Sequence, residues 1–211
     1  RGACHEGGGA PPYWPWVQAV RSLLIDPSEA TLKAVNAGSA VIAEIIPEIG
    51  DVLPDLEPAP EVEPRLARFR LFDSITTLLN DIAASQPLVL VLDDLHWADR
   101  ASLDLLQFVA REIATRPMLI IGGYRDGELS RRHPLSETLG TLARMRGFQR
   151  ISLRGLESDA VGHLVGAVGD ITPPPGLIEE IHKRTEGNPF FIGEVTRDLA
   201  QEAASSGGSL D

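Results

Sequence analysis

The chain has 211 residues, 43% of them hydrophobic, and a formal net charge of −11. This length and composition can bury one sizeable core with a small helical appendage, and they exclude a disordered chain. The negative charge argues against direct contact with a nucleic-acid backbone, because such contact depends on clustered Lys and Arg. A single cysteine, Cys4, excludes an internal disulfide, and the apolar runs are too short to cross a membrane, so a cytoplasmic location is expected.

The first third of the chain is predicted to be mainly helical. Residues 1–6 can be the remnant of a strand, and a helix is expected to begin near Pro15, because proline suits the first helical turn. The aromatic residues around this start either pack beneath the helix or form a partner or ligand surface, and the sequence leaves both open. Further helices are predicted around 28–36 and 39–46 and from Arg65 onward, with a proline-rich excursion at 51–64.

The segment Pro87–Asp99 reads PLVLVLDDLHWAD and joins an unbroken apolar run to two adjacent carboxylates. Consecutive aliphatic residues without polar alternation are typical of a strand that is covered on both faces of a parallel sheet. Ligands of such sheets bind at the carboxyl ends of the strands, where Asp93 and Asp94 fall. Asp93 can serve as an oxygen ligand of Mg²⁺ beside nucleotide phosphates, and Asp94 can orient or deprotonate an attacking water. The alternative is that both acids only end a strand and begin a loop.

A second apolar run, Met118–Tyr124, is predicted to lie beside the acidic strand in the sheet. Between the two runs, Asp99 can cap a helix over about residues 100–115. Arg125 follows the second run, so its guanidinium can approach a terminal phosphate and stabilise charge there. The alternative is that Arg125 forms an ordinary salt bridge to an acid just after it, Asp126 or Glu128.

Other features of the sequence bear on chemistry. No GxxxxGK followed by Ser or Thr is present, which is the loop whose backbone N–H groups and lysine cradle phosphates. His96 beside the acids could act in proton transfer, but local packing or hydrogen bonding is the favoured interpretation. Cys4, His5 and Glu6 can each bind metals, but adjacent side chains point apart and no second ligand cluster follows, so no metal site is expected there.

The C-terminal part is predicted to be a separate helical region. A helix at 135–145 and a short last strand at 150–153 precede two helices, 158–168 and 174–185, without an intervening strand. We therefore expect a core domain over residues 1–155, a helical region over 156–204 and a flexible tail over 205–211. Gly187 and Pro189 read first as punctuation, in which glycine closes one helix and proline opens the next.

Three segments together resemble one protein family. The run LVLVLDDLHWAD resembles the Walker B segment of the signal-transduction ATPases with numerous domains, the STAND branch of the AAA-like P-loop NTPases of large bacterial regulators. MLIIGGYRD, from Met118, resembles the sensor-1 strand of that family, and TEGNPFF, from Thr185, resembles its lid-region GNP motif. With the opening GGGAPPYWPWVQAVRSLL, the likeness extends over nearly the whole chain.

The resemblance implies an α/β fold, with a parallel-sheet P-loop NTPase core of the ASCE or AAA-like type followed by a small helical lid. It implies ATP and Mg²⁺ as cofactors, Asp93 as the metal ligand, and Asp94 and Arg125 as catalytic residues. It also implies a nucleotide contact at Gly187 and Pro189, with Pro189 lying against the adenine. The family often has Thr two residues before the arginine, and because this chain has Gly123 there, a hydroxyl contact is in doubt.

The absent phosphate-binding loop implies a fragment of a longer protein, with a core that lacks its P-loop strand. In the family's sheet order, 5-1-4-3-2, that strand lies between the strand at 118–124 and the strand at 150–153. We therefore expect either a gap at this place or direct pairing of those two strands, because buried backbone groups need partners. The isolated chain is expected to bind ATP weakly or not at all.

By the same resemblance, the chain is an ATP-binding and hydrolysing switch module of a multidomain bacterial signalling or transcriptional regulator. Its implied partners are ATP in the full-length protein, sensor and helix-turn-helix or cyclase output domains of the same chain, and other copies of itself in a nucleotide-dependent oligomer. Direct contact of this segment with nucleic acid or membrane is not expected. The alternative is a nucleotide-independent interaction scaffold with a degenerate ATPase fold. A GxxxxGK[ST] motif encoded upstream of Arg1 would support the ATPase, and a start codon there would support the scaffold.

Overall fold

The structure is a computed structural model that describes residues 1–7, 9–25, 27–36, 39–53, 55–169, 173 and 176–205. The chain divides into two compact units, Arg1–Gln149 and Arg150–Asp211. The division comes earlier than the expected boundary after residue 155. The local reason is that Leu156 donates its backbone N–H to the carbonyl of Gly187 (2.7 Å), which ties the segment before it to the second unit.

The first unit is built around a three-stranded parallel sheet with the order β1-β2-β3. Its strands are β1 (Gly2–Ala3), β2 (Leu88–Asp93) and β3 (Met118–Gly122). Gly2 lies opposite Leu92, and Leu88 lies opposite Met118. A strand at the N-terminus, within the predicted residues 1–6, and the predicted pairing of the second apolar run with the acidic strand are both confirmed.

Helices pack against this sheet, and most of them begin close to the predicted places. The described helices of the first unit are α1 (Trp14–Leu24), α2 (Glu29–Asn36), α3 (Ser39–Ala43), α4 (Ile49–Val52), α5 (Pro64–Ser85), α6 (Arg100–Glu112) and α7 (Pro134–Leu142). α1 carries proline in its first turn, as predicted, and buries Trp16 in the core. α6 begins after Asp99, whose side chain accepts the backbone N–H of Ser102 at 2.9 Å, so the predicted cap is confirmed.

The two faces of the sheet differ in their burial. Leu90 and Leu92 of β2 are 2% and 0% exposed, whereas Val89, directly before Leu90, and Leu119 of β3 are more than half exposed. The sequence predicted that β2 is buried on both faces of the sheet, but in the structure only the face of Leu90 and Leu92 is buried. Parallel sheets are normally covered on both sides, so the open apolar face is an unusual feature of this unit.

The predicted last strand at residues 150–153 is wrong. These residues have no strand structure, and Ile151 and Leu153 are 73% and 91% exposed. An extended run of this length has nothing to hold it unless a neighbouring strand accepts and donates its backbone hydrogen bonds. β3 is consequently an edge of the sheet that the described residues form, which corresponds to the expected gap and not to direct strand pairing.

The second unit is helical within its described residues. It contains α8 (Ser158–Gly169), α9 (Leu177–Thr185) and α10 (Pro189–Ser205), which bury Val161, Val165, Ile181 and Ile192. Ser205 ends α10 and so is not part of a tail, and residues 206–211 of the predicted flexible tail lie outside the described residues. In the described part of the chain, no helix combines the length and hydrophobicity that crossing a membrane requires.

Candidate functional site

The adjacent acids lie at the carboxyl end of β2, as the sequence predicts. Asp93 is the last residue of the strand, and Asp94 follows it directly. Their side chains are 34% and 35% exposed, so solvent and ligands can reach both carboxylates. The alternating burial of β2 anchors them, because its inward leucines fix the strand while its end emerges from the sheet.

Two neighbours hold the carboxylate of Asp93, and a third, Gly123, leaves room for it. Its Oδ1 accepts the backbone N–H of Asp94 at 3.1 Å, and its Oδ2 forms an ion pair with the guanidinium of Arg1. A Cβ atom at Gly123 would lie only 2.5 Å from Oδ1. Any larger residue at 123, including the threonine common in the resembled family, would therefore push this carboxylate from its present position.

Asp94 turns the chain sharply away from the strand. Its backbone is left-handed (φ 55°, ψ 39°), a conformation that Asp and Asn tolerate better than most residues. A single 3₁₀ turn, Leu95–Trp97, follows. The backbone N–H of Leu95 donates to the carbonyl of Gly123 at 2.8 Å, which fastens this turn to the end of β3.

Arg125 emerges beside the acid pair, but its guanidinium contacts other groups. It lies 3.3 Å from Oε1 of Glu128 and 5.8 Å from the ring centre of Trp97, and its side chain is 65% exposed. The salt bridge that the sequence left as the alternative is thus formed. Because both contacts are at the surface, they hold the guanidinium weakly, and it remains free to move to an anionic ligand.

His96 is a residue of this site that the sequence interpretation left aside. Its side chain is fully buried, and its Nδ1 accepts the backbone N–H of Arg125 at 3.4 Å. Its Nε2 lies 3.5 Å from Oε2 of Glu128 and 4.0 Å from Oδ1 of Asp94, yet it makes no hydrogen bond. Its position two residues after the acid pair was the available signal, but its buried contact with the second strand end depends on the fold.

Acidic side chains also surround Cys4. The backbone N–H of Cys4 donates to the carbonyl of Asp93 at 3.0 Å, and Cys4 is buried next to the end of β2. Burial, followed by the charges of Asp99, Asp94 and Asp93, raises the pKa of the Cys4 thiol from 9.0 to about 12. The thiol is therefore protonated at neutral pH and is unsuited to act as a nucleophile.

Gly187 and Pro189 lie in the second unit, on a turn between α9 and α10. Gly187 has φ 73°, and a Cβ atom there would lie 2.3 Å from the carbonyl oxygen of Leu156. The packing and backbone conformation of the turn therefore require glycine at this position, independently of any contact with a nucleotide. Pro189 begins α10 and lines an open pocket of about 520 Å³ together with Arg154, Arg184 and Phe191. The prediction that glycine follows one helix and proline begins the next is confirmed. A ligand that contacts Pro189 would lie in this pocket.

The donor set of the acid pair fits Mg²⁺ only in part. In the described residues, no three His, Cys, Asp or Glu side chains converge in a manner that could hold a metal ion by themselves. Mg²⁺ commonly takes one or two carboxylates and completes its shell with water and substrate phosphates, and two accessible carboxylates satisfy that requirement. A phosphate cradle, by contrast, is absent from the sequence.

Comparison with known proteins decides the family. The model of the family described as AAA ATPase domain matches residues 1–121, which is more than half of the chain and includes the acid pair. The chain belongs to the AAA ATPase domain family. Its α/β unit with a parallel sheet agrees with the P-loop NTPase-like core of that family.

A match to a curated protein covers only a small part of that protein. An uncharacterised protein of Rhizobium meliloti (strain 1021) is 28% identical over 142 residues, covering 66% of this chain but 13% of that protein. The matching segment thus occupies about an eighth of the length of the relative. No solved structure matches the chain.

Proposed function

We propose that the chain is the ATP-binding and hydrolysing switch module of a multidomain bacterial signalling or transcriptional regulator of the STAND type, acting in the cytoplasm. The observation that carries the proposal is the accessible acid pair at the carboxyl end of β2, beside the end of β3, in a member of the AAA ATPase domain family. Open α/β sheets bind their ligands at this edge. The proposed partners are ATP, sensor and output domains of the same chain, and further copies of the module.

Each residue of the site has a distinct proposed role. Asp93 would hold Mg²⁺, which neutralises charge on the phosphates when it is bound. Asp94 accepts a hydrogen bond from the attacking water and orients it. Arg125 leaves Glu128 and donates to the terminal phosphoryl group, which its exposed, weakly held guanidinium permits. On the second unit, the pocket at Pro189 is the proposed contact for the base, with Gly187 shaping the turn.

The phosphate-binding loop is proposed to come from a segment beyond these 211 residues. β3 offers an open edge, and the exposed side chains of Val89, Leu119 and Ile121 offer an apolar face beside it. A further parallel strand followed by a helix would pair with that edge and cover that face. A GxxxxGK[ST] loop between such a strand and helix would then lie at the same end of the sheet as the acid pair.

The test is a calorimetric titration with ATP and Mg²⁺. The 211-residue chain should bind weakly or not at all, while the full-length protein that contains it should bind tightly and depend on Mg²⁺. Asp93→Asn in the full-length protein should remove the Mg²⁺ dependence, and Asp94→Asn should preserve binding but abolish hydrolysis. Asparagine suits Asp94 because it also tolerates the left-handed backbone.

Two results would overturn parts of this proposal. Tight Mg²⁺-dependent ATP binding by the 211-residue chain would refute the proposal that the phosphate-binding loop lies outside these residues. Unchanged Mg²⁺ dependence and hydrolysis in both variants would refute the roles of the acid pair.

A nucleotide-independent interaction scaffold is the second candidate. It is favoured by the exposed aromatic pair Phe190 and Phe191 in the second unit, which are 68% and 53% exposed and pack edge to face at 5.5 Å. Exposed aromatic side chains are common at protein–protein contacts. A full-length protein that binds no ATP and keeps its partners after both aspartates are changed would establish this candidate instead.

A further inference from the structure

We propose that His96 is a positioning residue that couples the side chain of Arg125 to the carboxylate of Asp94. The inference rests on the proposed function, in which Arg125 meets the phosphate and Asp94 orients the water. It assigns to His96 a role in deciding when Asp94 is available.

The first step concerns the proton on the imidazole ring. His96 Nδ1 accepts the backbone N–H of Arg125, so the neutral ring carries its own proton on Nε2. The side chain is fully buried, which prevents water from serving as the acceptor for that proton. The ring therefore has one fixed nitrogen, bound to the β3 end, and one donor nitrogen without a partner.

The second step concerns the two carboxylates that face this donor. Oε2 of Glu128 lies 3.5 Å from Nε2, and Oδ1 of Asp94 lies 4.0 Å from it. A buried N–H without an acceptor is unfavourable, so a small rotation of either carboxylate to receive it lowers the free energy. The two acids compete for one proton donor.

The third step concerns Arg125, which biases this competition. Its guanidinium lies 3.3 Å from Oε1 of Glu128, so the carboxylate of Glu128 already has a cationic partner. With Arg125 in place, Glu128 is the weaker competitor although it lies nearer to Nε2, so a rotation of the Asp94 carboxylate would let it receive the His96 proton donor. When Arg125 moves to an anion, Glu128 loses its cation and becomes the stronger acceptor. His96 then donates to Glu128, and Asp94 is released to accept a hydrogen bond from the attacking water.

The coupling can be measured without any nucleotide, by NMR on the ¹⁵N-labelled full chain. The Nε2 proton of His96 is buried, so it should exchange slowly and give a resolved signal, which the His96→Gln variant would assign by its loss. Arg125→Gln should imitate departure of the guanidinium and move this signal downfield, as expected for a stronger hydrogen bond to a bare carboxylate. Glu128→Gln should prevent that movement, so the double variant should resemble Glu128→Gln alone.

Arg132→Gln is the matched control. Arg132 is exposed and lies a few residues after Glu128, and its replacement removes the same charge without touching His96. The control should leave the signal in place. The proposal fails if His96 carries its proton on Nδ1, if Arg125→Gln leaves the Nε2 signal unmoved, or if the movement persists without the Glu128 carboxylate. Since the experiment contains no ATP, these outcomes are independent of whether the protein binds nucleotide.

Discussion

Asp93 and Asp94 are consecutive, yet the backbone gives their carboxylates different surroundings. Asp93 ends β2 in extended conformation and meets Arg1 and Gly123, whereas the left-handed Asp94 faces the buried ring of His96. Because their surroundings differ, the two carboxylates can contact different parts of one ligand at this end of the sheet. In the proposed mechanism, metal binding and water orientation are therefore assigned to two positions that do not compete for the same space.

Cys4 allows a prediction about alkaline stability. Its pKa is raised from 9.0 to about 12 by burial and by the nearby acids, Asp99 first among them. Below pH 9 both folded and unfolded chains keep the thiol protonated, so its effect on stability is constant there. Between about pH 9 and 12 the unfolded chain loses the proton and the folded chain retains it, so the free energy of unfolding should fall by up to about 1.4 kcal/mol per pH unit.

The measurement is urea unfolding of the wild type and Cys4→Ala at pH 7 to 11. The variant should be less stable at pH 7, because it leaves a small cavity. The difference between the two proteins should shrink above pH 9, since the variant has no thiol to ionise. Parallel curves over the whole range would show that the thiol titrates normally in the folded chain.

At the same residue scale, the positions of the acid pair and of Arg125 at the strand ends were predictable from the sequence, but the contact of His96 with the end of β3 was not. Strand ends carry a recognisable pattern, in which polar residues follow an apolar run. A hydrogen bond from the Arg125 backbone to His96 joins positions 29 residues apart, and only the parallel pairing of β2 with β3 creates it.

Among the elements, α6 depends on a cap that also joins it to α1. Asp99 accepts the backbone N–H of Ser102 at 2.9 Å and that of Tyr13 at 3.3 Å. Asp99→Ala should therefore lower the free energy of unfolding by about 1–2 kcal/mol, at the upper end for a helix cap because two donors lose their acceptor. Asp99→Asn should cost less, since the amide oxygen can still accept.

Chemical unfolding followed by circular dichroism would measure these changes. Asp73→Ala is the control, because Asp73 is exposed on α5 and lies far from either end of that helix. This control should change the free energy of unfolding by less than about 0.5 kcal/mol. Equal losses for Asp99→Ala and Asp73→Ala would show that the cap contributes nothing beyond an ordinary surface aspartate.

The helices and the two long strands were predictable because the sequence patterns that indicate them lie within each element. α5 and α6 show three- and four-residue apolar steps, and the apolar runs at β2 and β3 are continuous. Residues 150–153 have strand-like composition too, but a strand also requires a neighbour. That requirement is a property of the sheet, so the four-residue run misled the sequence interpretation.

For the whole molecule, the open side of the sheet is the feature that the sequence could not reveal directly. Leu119 and Ile120 are adjacent in β3 and similar in size, so their apolar character alone predicts the same environment. In the structure Leu119 is 55% exposed, while Ile120 packs against the core of the first unit. The open face leads to the proposal that a further segment covers it.

That open face gives a prediction about how the isolated chain behaves. Leu119→Lys should change the free energy of unfolding by less than about 0.5 kcal/mol, because the new charge stays in solvent. It should also lower self-association at high concentration, since charged residues at an exposed sheet edge oppose edge-to-edge pairing. Ile120→Lys is the matched variant on the opposite face and should destabilise the first unit strongly, because it directs a charge towards the core.

Urea unfolding and sedimentation velocity on both variants would separate the two faces. Equal destabilisation by Leu119→Lys and Ile120→Lys would mean that the face of Val89 and Leu119 is covered in solution. In the full-length protein the outcome for Leu119 should reverse. A segment packed on that face would bury the lysine, so Leu119→Lys should then destabilise the protein and weaken ATP binding along with it. A full-length protein that tolerates the lysine in both respects would leave the face without a cover and would favour the scaffold over the ATPase.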